Sequence, residues 1–80
     1  MVKIKLIYGT DWCGDCVRTK KLLDEHKVPY VWIDIDQDAE GRKIVTEINK
    51  GEAKVPTIIF EDGSFLIEPS NEELKKKLVL

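Results

Sequence analysis

Cysteine is scarce in this chain, with Cys13 and Cys16 the only two among 80 residues. A secreted scaffold held by disulfides carries several bridges that close long loops, and a Cys-x-x-Cys pair closes almost none. Histidine is scarcer still. With His26 alone, a four-ligand zinc site would have two thiols and one imidazole before it turned to carboxylates. Neither sign of charge prevails: 13 Lys and Arg face 15 Asp and Glu, for a formal net charge of -2. That balance excludes the basic surface with which nucleic-acid binders replace phosphate counterions. No apolar run approaches the roughly 20 residues of a membrane span. The opening residues also lack the apolar core of a signal peptide. A cytosolic chain with no nucleic-acid or membrane partner is expected.

What is present suits one small domain covering residues 1–80, expected to be a monomer. The composition is 42% apolar and 35% charged, enough to build a core and too apolar for disorder.

Lys3-Ile4-Lys5-Leu6-Ile7-Tyr8 alternates, turns apolar and stops at Gly9-Thr10-Asp11, as a strand ending in a loop does. Cys13 to His26 reads as a helix with Cys16, Thr19, Leu23 and His26 on one stripe, Leu22 beside it, and Pro29 beyond its end. Tyr30-Val31-Trp32-Ile33-Asp34-Ile35 is aromatic and β-branched, a second strand. Asp36 or Asp38 caps a helix over Ala39 to Asn49, with Ile44, Val45 and Ile48 inward; Gly41 in its first turn costs it about 1 kcal/mol relative to Ala.

Val55-Pro56 leads into the strand Thr57 to Phe60, and Glu61-Asp62-Gly63-Ser64 turns the chain into Phe65-Leu66-Ile67. Ser70 and Glu73 form a capping box for a last helix with Leu74, Leu78 and Leu80 as its seam. The order β-α-β-α-β-β-α, with a right-handed βαβ crossover and an antiparallel hairpin, predicts a three-layer α/β/α fold around a mixed four-stranded sheet.

Trp12-Cys13-Gly14-Asp15-Cys16 falls where the first strand gives way to the first helix. Unpaired N–H groups and the positive end of the helix dipole favour a thiolate there, and the thiolate is the form that attacks disulfides. Cys13, nearer the loop, is the expected nucleophile. Cys16, one turn inside, is placed to expel the mixed disulfide. Asp11 and Asp15 oppose thiolate formation, while Lys5 and Arg18 are the cations available to offset them. Trp12 offers an apolar contact beside the sulfur. The competing readings are half of a zinc site and a pair of inert buried thiols. His26 lies roughly 20 Å along the helix from Cys13 at 1.5 Å per residue, too far to join a zinc site within one copy.

Val55-Pro56-Thr57 is the second constellation. About 5–6% of X-Pro bonds in folded proteins are cis, so trans is the default. A cis bond beside the cysteine loop would instead turn the Val55 backbone toward a bound peptide.

These residues together resemble the glutaredoxin branch of the thioredoxin-fold proteins over nearly the whole chain. Thr10 to Cys16, Val55-Pro56-Thr57, Asp62-Gly63-Ser64 and Pro69-Ser70 resemble the short actinobacterial mycoredoxins and their glutaredoxin-like relatives. The resemblance implies a thioredoxin-like fold, Cys13 as attacking and Cys16 as resolving thiol, a cis Pro56, and Val55 pairing through its backbone with the substrate. It further implies that a low-molecular-weight thiol is held by its carboxylates, for which Arg42, Lys43, Lys54 and the helix start at Ser70 and Asn71 are the candidates. Glutathione-using members carry Pro-Tyr between the cysteines where this chain has Gly14-Asp15, and a Gly-Gly turn where it has Leu66-Ile67-Glu68-Pro69. Mycothiol, glutathione or no small thiol therefore all stay open, with no tightly bound cofactor expected.

The function expected is reduction of protein disulfides, or of mixed disulfides with small thiols, through Cys13 and Cys16. The alternatives are a dedicated electron donor to one partner, such as a ribonucleotide reductase, recharged by a thioredoxin-type reductase, and a non-catalytic binding module on the same fold.

Overall fold

A computed structural model describes residues 2–80. The chain runs β1 (Ile4–Gly9), α1 (Gly14–Glu25), β2 (Trp32–Asp34), α2 (Ala39–Ile48), β3 (Thr57–Phe60), β4 (Phe65–Ile67) and α3 (Asn71–Leu78), in the expected order. The four strands form one mixed sheet, ordered β2-β1-β3-β4. β1 and β2 are parallel, whereas β1–β3 and β3–β4 are antiparallel.

The alternation of side chains along a strand divides the core between the two faces of this sheet. Ile7, Ile58 and Phe60 pack with Leu22 and Leu23 of α1 and with Leu74 and Leu78 of α3. Tyr8 and Val45 of α2 belong to the opposite cluster, with Leu6, Ile33 and Ile59 packed against it. Strict alternation would group Ile4 with Leu6. A register shift between Ile4 and Leu6 breaks the parity, and Ile4 joins Ile7 on the face of α1 and α3.

Several boundaries differ from the sequence reading. β2 spans three residues where six were expected. It is an edge strand paired to β1 alone, and only single bonds continue past its ends, from Ile7 N–H to the Val31 carbonyl and from Ile35 N–H to the Gly9 carbonyl. Beyond it the Asp34 carboxylate accepts from Asp36 N–H at 2.9 Å and turns the chain. His26 leaves the buried stripe of α1: it is the exposed C-cap residue, and Lys27 follows at φ 56°. Ile48, in the last turn of α2, is only half-buried. Leu80 is 48% exposed because Val79 caps α3 in a left-handed conformation and swings the chain away.

Of the two candidate caps for α2, Asp38 takes the role, accepting from Gly41 N–H at 3.0 Å. The predicted box at α3 is present, with Ser70 Oγ accepting from Glu73 N–H and the Glu73 carboxylate accepting from Ser70 N–H, both at 3.1 Å. Such caps are each worth about 1 kcal/mol. Gly41 has a packing reason: a Cβ there would lie 3.2 Å from both Ile33 and Tyr8. Its bare backbone lets α2 settle closely on the sheet.

Candidate active site

The cysteine loop is built by the end of β1 and the start of α1. Gly9 closes the strand against the Trp32 ring, where a Cβ would collide, and that Cβ would also sit 3.2 Å from Cys16 Sγ. Thr10 turns inward and is 1% exposed. Asp11 and Trp12 lie on the surface, and Cys13 is the N-cap of α1 with an extended backbone (φ -83°, ψ 123°). The first helical bond runs from Val17 N–H to the Cys13 carbonyl at 3.0 Å. The N–H groups of the first turn have no intrahelical acceptor and present the positive end of the helix beside the Cys13 sulfur.

Both cysteines are free thiols, Cys13 half-buried and Cys16 fully buried. Burial, above all, pushes the Cys16 thiol up to about 12, and the neighbouring Cys13 sulfur adds to the rise. The Thr10 amide and hydroxyl beside the Cys16 sulfur work in the opposite direction. One sulfur is thus accessible at a helix start, and the other is held as a neutral thiol one turn inside.

The Val55–Pro56 peptide bond is cis, as the resemblance implied and against the default. The Cys13 thiol points at the Val55 carbonyl across 3.7 Å. Thr57 Oγ1 donates to the Lys54 carbonyl at 2.8 Å, and Glu68 N–H donates to the Pro56 carbonyl at 2.8 Å. The loop before β3 is therefore bonded to the loop before α3.

Most other candidates already have partners. Trp12 is 74% exposed, and its indole N–H donates to Asp36 Oδ2 at 2.6 Å. Asp36 Oδ1 in turn meets Arg42 Nη1 at 3.4 Å. That chain of contacts brings Arg42 to the cysteine loop with its charge already paired. Lys54 pairs with Glu52 at 3.3 Å. Lys43 is exposed. The Ser70 amide and hydroxyl are taken by the capping box. Asn71 Oδ1 accepts from Arg18 at 2.6 Å, and the Pro69 carbonyl accepts from the same guanidinium at 3.1 Å.

Arg18 also approaches Asp15 at 3.5 Å, so one of the two offsetting cations does reach the cysteine motif. Lys5 stays near the other end of β1, four residues or roughly 13 Å from Gly9 at 3.3 Å per residue. Among the described residues, no group of three or more His, Cys, Asp or Glu side chains is arranged to hold a metal ion.

Three parts of this arrangement escaped the sequence reading: the burial of Thr10, the Trp12–Asp36 bond and the Arg18 clamp. The last two join residues 24 and 53 positions apart, and no local pattern signals such pairs.

A Cys-x-x-Cys at a helix start, facing a cis proline loop at one end of the two central strands of a mixed sheet, is an arrangement that can exchange disulfides. The sequence model of the Glutaredoxin family matches residues 6–66. The chain belongs to the glutaredoxin family. It is 42% identical over 73 residues to a Mycobacterium tuberculosis protein provisionally named a glutaredoxin, covering 91% of this chain and 87% of that one. It is 39% identical over 72 residues to mycoredoxin 1 of Corynebacterium glutamicum, covering 90% and 89%. Its fold is similar to the crystal structure of a glutaredoxin from Archaeoglobus fulgidus, with a TM-score of 0.73 at 27% identity over 98% of this chain and 87% of that one. As a glutaredoxin, the protein is a thiol–disulfide oxidoreductase.

Proposed function

We propose that the protein reduces protein disulfides and mixed disulfides with low-molecular-weight thiols through Cys13 and Cys16. The observation that carries this reading is the asymmetry of the pair: Cys13 is accessible at the N-cap of α1, and Cys16 is fully buried one turn inside. The Cys13 thiolate attacks one sulfur of the substrate disulfide R–S–S–R′. The S–S bond breaks, R′S⁻ leaves with its electron pair, and a Cys13–S–S–R mixed disulfide forms. Cys16 then gives up its proton to solvent and attacks Cys13 Sγ, expelling RS⁻. The substrate has gained two electrons and the protein holds a Cys13–Cys16 disulfide, which two external thiols or a reductase reopen.

The coupling between the sulfurs supports that order. The Cys13 sulfur contributes to raising the Cys16 thiol, and once Cys13 is tied up in a mixed disulfide that contribution is gone. Cys16 then ionises more easily at the moment it is needed. The Val55 backbone beside Cys13 would pair with the extended substrate chain, while Trp12 would cover the incoming disulfide.

The small thiol is mycothiol, by likeness to mycoredoxin 1. A reducing compartment such as the cytosol would keep the pair ready to react, and a monomeric domain suffices for the chemistry.

Turnover of a thiol-conjugated peptide disulfide tests the reading, with mycothiol, glutathione, or NADPH and thioredoxin reductase as the electron source. Cys13→Ser is expected to abolish turnover with every source, and mycothiol is expected to sustain the wild type best. Full activity in Cys13→Ser would end the proposal. A preference for the reductase would reassign the electron donor. Cys16→Ser is expected to lose reduction of protein disulfides.

A further inference from the structure

The hydroxyl of Thr10 is a buried polar group that completes no hydrogen bond in the reduced protein. Thr10 is 1% exposed, and among the described residues its Oγ1 has no hydrogen-bond partner. Leaving a buried hydroxyl unpaired costs about 1–3 kcal/mol, so such a group calls for a reason. Its neighbour supplies one. Thr10 follows Gly9, whose absent side chain lets the strand end approach to where a Cβ would be 3.2 Å from Cys16 Sγ. Thr10, the next residue, is buried in its turn, and its amide and hydroxyl act on that same sulfur, which is itself 0% exposed.

A neutral thiol is a weak acceptor and leaves the hydroxyl unspent. A thiolate is a strong acceptor, and on a sulfur with no exposed surface it needs a donor from the protein.

We infer that Thr10 is a positioning residue for the second half of the reaction, its hydroxyl turning onto the Cys16 sulfur to donate a hydrogen bond to the thiolate that attacks the Cys13 mixed disulfide. The inference rests on the proposed resolving role of Cys16. Thr10 transfers no proton: Cys16 loses its proton to solvent, the Cys16–Cys13 bond forms as the Cys13–S–R bond breaks, and RS⁻ leaves with the electron pair. The other titratable groups packed with Cys16 are Cys13, by then neutral in the mixed disulfide, and Tyr8. Burial and the charges of Asp38 and Glu40 raise the Tyr8 hydroxyl and keep it protonated. Neither competes as a charge on the developing thiolate.

Rapid mixing of the reduced protein with Ellman's reagent resolves the two steps. The first thionitrobenzoate is released in a phase that depends on reagent concentration, as Cys13 attacks. The second is released in a concentration-independent phase, as Cys16 resolves. Thr10→Val removes the hydroxyl and keeps the shape. It is expected to slow the second phase about tenfold or more near neutral pH, as the loss of a hydrogen bond to a charged group does. It is also expected to move the pH profile of that phase about one unit to the alkaline side and to leave the first phase unchanged. Thr10→Ser is expected to restore both rate and profile.

A second phase unaltered in Thr10→Val would overturn the inference, as would equal, pH-independent slowing in the Val and Ser variants. If Thr10→Val does not fold, Thr10→Ala against Thr10→Ser isolates the hydroxyl in the same way. A second phase that persists in Cys16→Ser would instead defeat the resolving role of Cys16, a failure distinct from that of Thr10.

Discussion

The Arg18 guanidinium joins the second turn of α1 to the start of α3, donating to Asn71 Oδ1 at 2.6 Å and to the Pro69 carbonyl at 3.1 Å. Glu68, one residue earlier in the same loop, donates to the carbonyl of Pro56. The cysteine helix and the cis proline loop are therefore positioned through one shared segment. Arg18→Gln keeps part of the length and loses the charge and the forked geometry. The expected cost is about 1.5 kcal/mol, or a fall in Tm of roughly 6–12 °C for a chain of this size, read by thermal circular dichroism. An unchanged Tm would show that the clamp contributes nothing to holding the two loops together.

Two glycines flank the cysteine loop and are expected to behave oppositely. An added Cβ at Gly9 collides with the Trp32 ring, whereas at Gly14 it meets nothing within 4 Å. Gly9→Ala is expected to destabilise by about 1–3 kcal/mol through overpacking and to alter Trp32 fluorescence. Gly14→Ala, at the first position of a helix, is expected to be neutral or stabilising by up to about 1 kcal/mol. Chemical denaturation of both variants checks the contrast.

Much of the fold could be read in the sequence because its signals are local. The Ser70–Glu73 box, the Asp62-Gly63 turn and the Cys-x-x-Cys at a strand end each declare themselves within a few residues, and all stand where they were expected. What escaped depends on distant partners. Gly41 looks like a weak point in a helix until Tyr8 and Ile33 are seen beneath it. Asp36 looks like a cap until Trp12 takes its carboxylate. The irregular register near Lys5 reverses the parity of one strand end, which no hydropathy pattern announces. Thr10 lies in a polar loop segment by composition, yet the fold buries it.

Alkaline pH is expected to expose the buried thiol and a phenol. Burial pushes Cys16 from 9.0 up to about 12, and burial, with the Asp24 hydrogen bond, pushes Tyr30 from 10.0 up to about 12. Both groups hold their protons more tightly folded than unfolded. The stability they contribute is whole below about pH 9 and is lost as the pH climbs toward about 12. Denaturation of the reduced protein between these limits should show stability falling with pH. Oxidation to the Cys13–Cys16 disulfide is expected to flatten the fall between about pH 9 and 10, and Tyr30→Phe to flatten it above about pH 10. Identical slopes in all three would contradict the burial argument.

The Trp12–Asp36 bond links an exposed ring to α2 through Arg42. Asp36→Ala is expected to free the ring with little loss of stability, within about 0.5 kcal/mol for a surface site. If Trp12 covers the incoming disulfide, KM for a peptide mixed disulfide rises several-fold while kcat holds. A fall in kcat at unchanged KM would place the role of Asp36 elsewhere.

The division of labour between the two sulfurs is tested most directly by competitive alkylation at neutral pH, with each site quantified by mass spectrometry. Cys13 is expected to be labelled at least about 100-fold faster than Cys16, because the thiolate is the reactive form and Cys16 is both sealed from water and held protonated. In the unfolded chain the two rates are expected to converge. Labelling of Cys16 in the native protein at a rate similar to that of Cys13 would contradict the account.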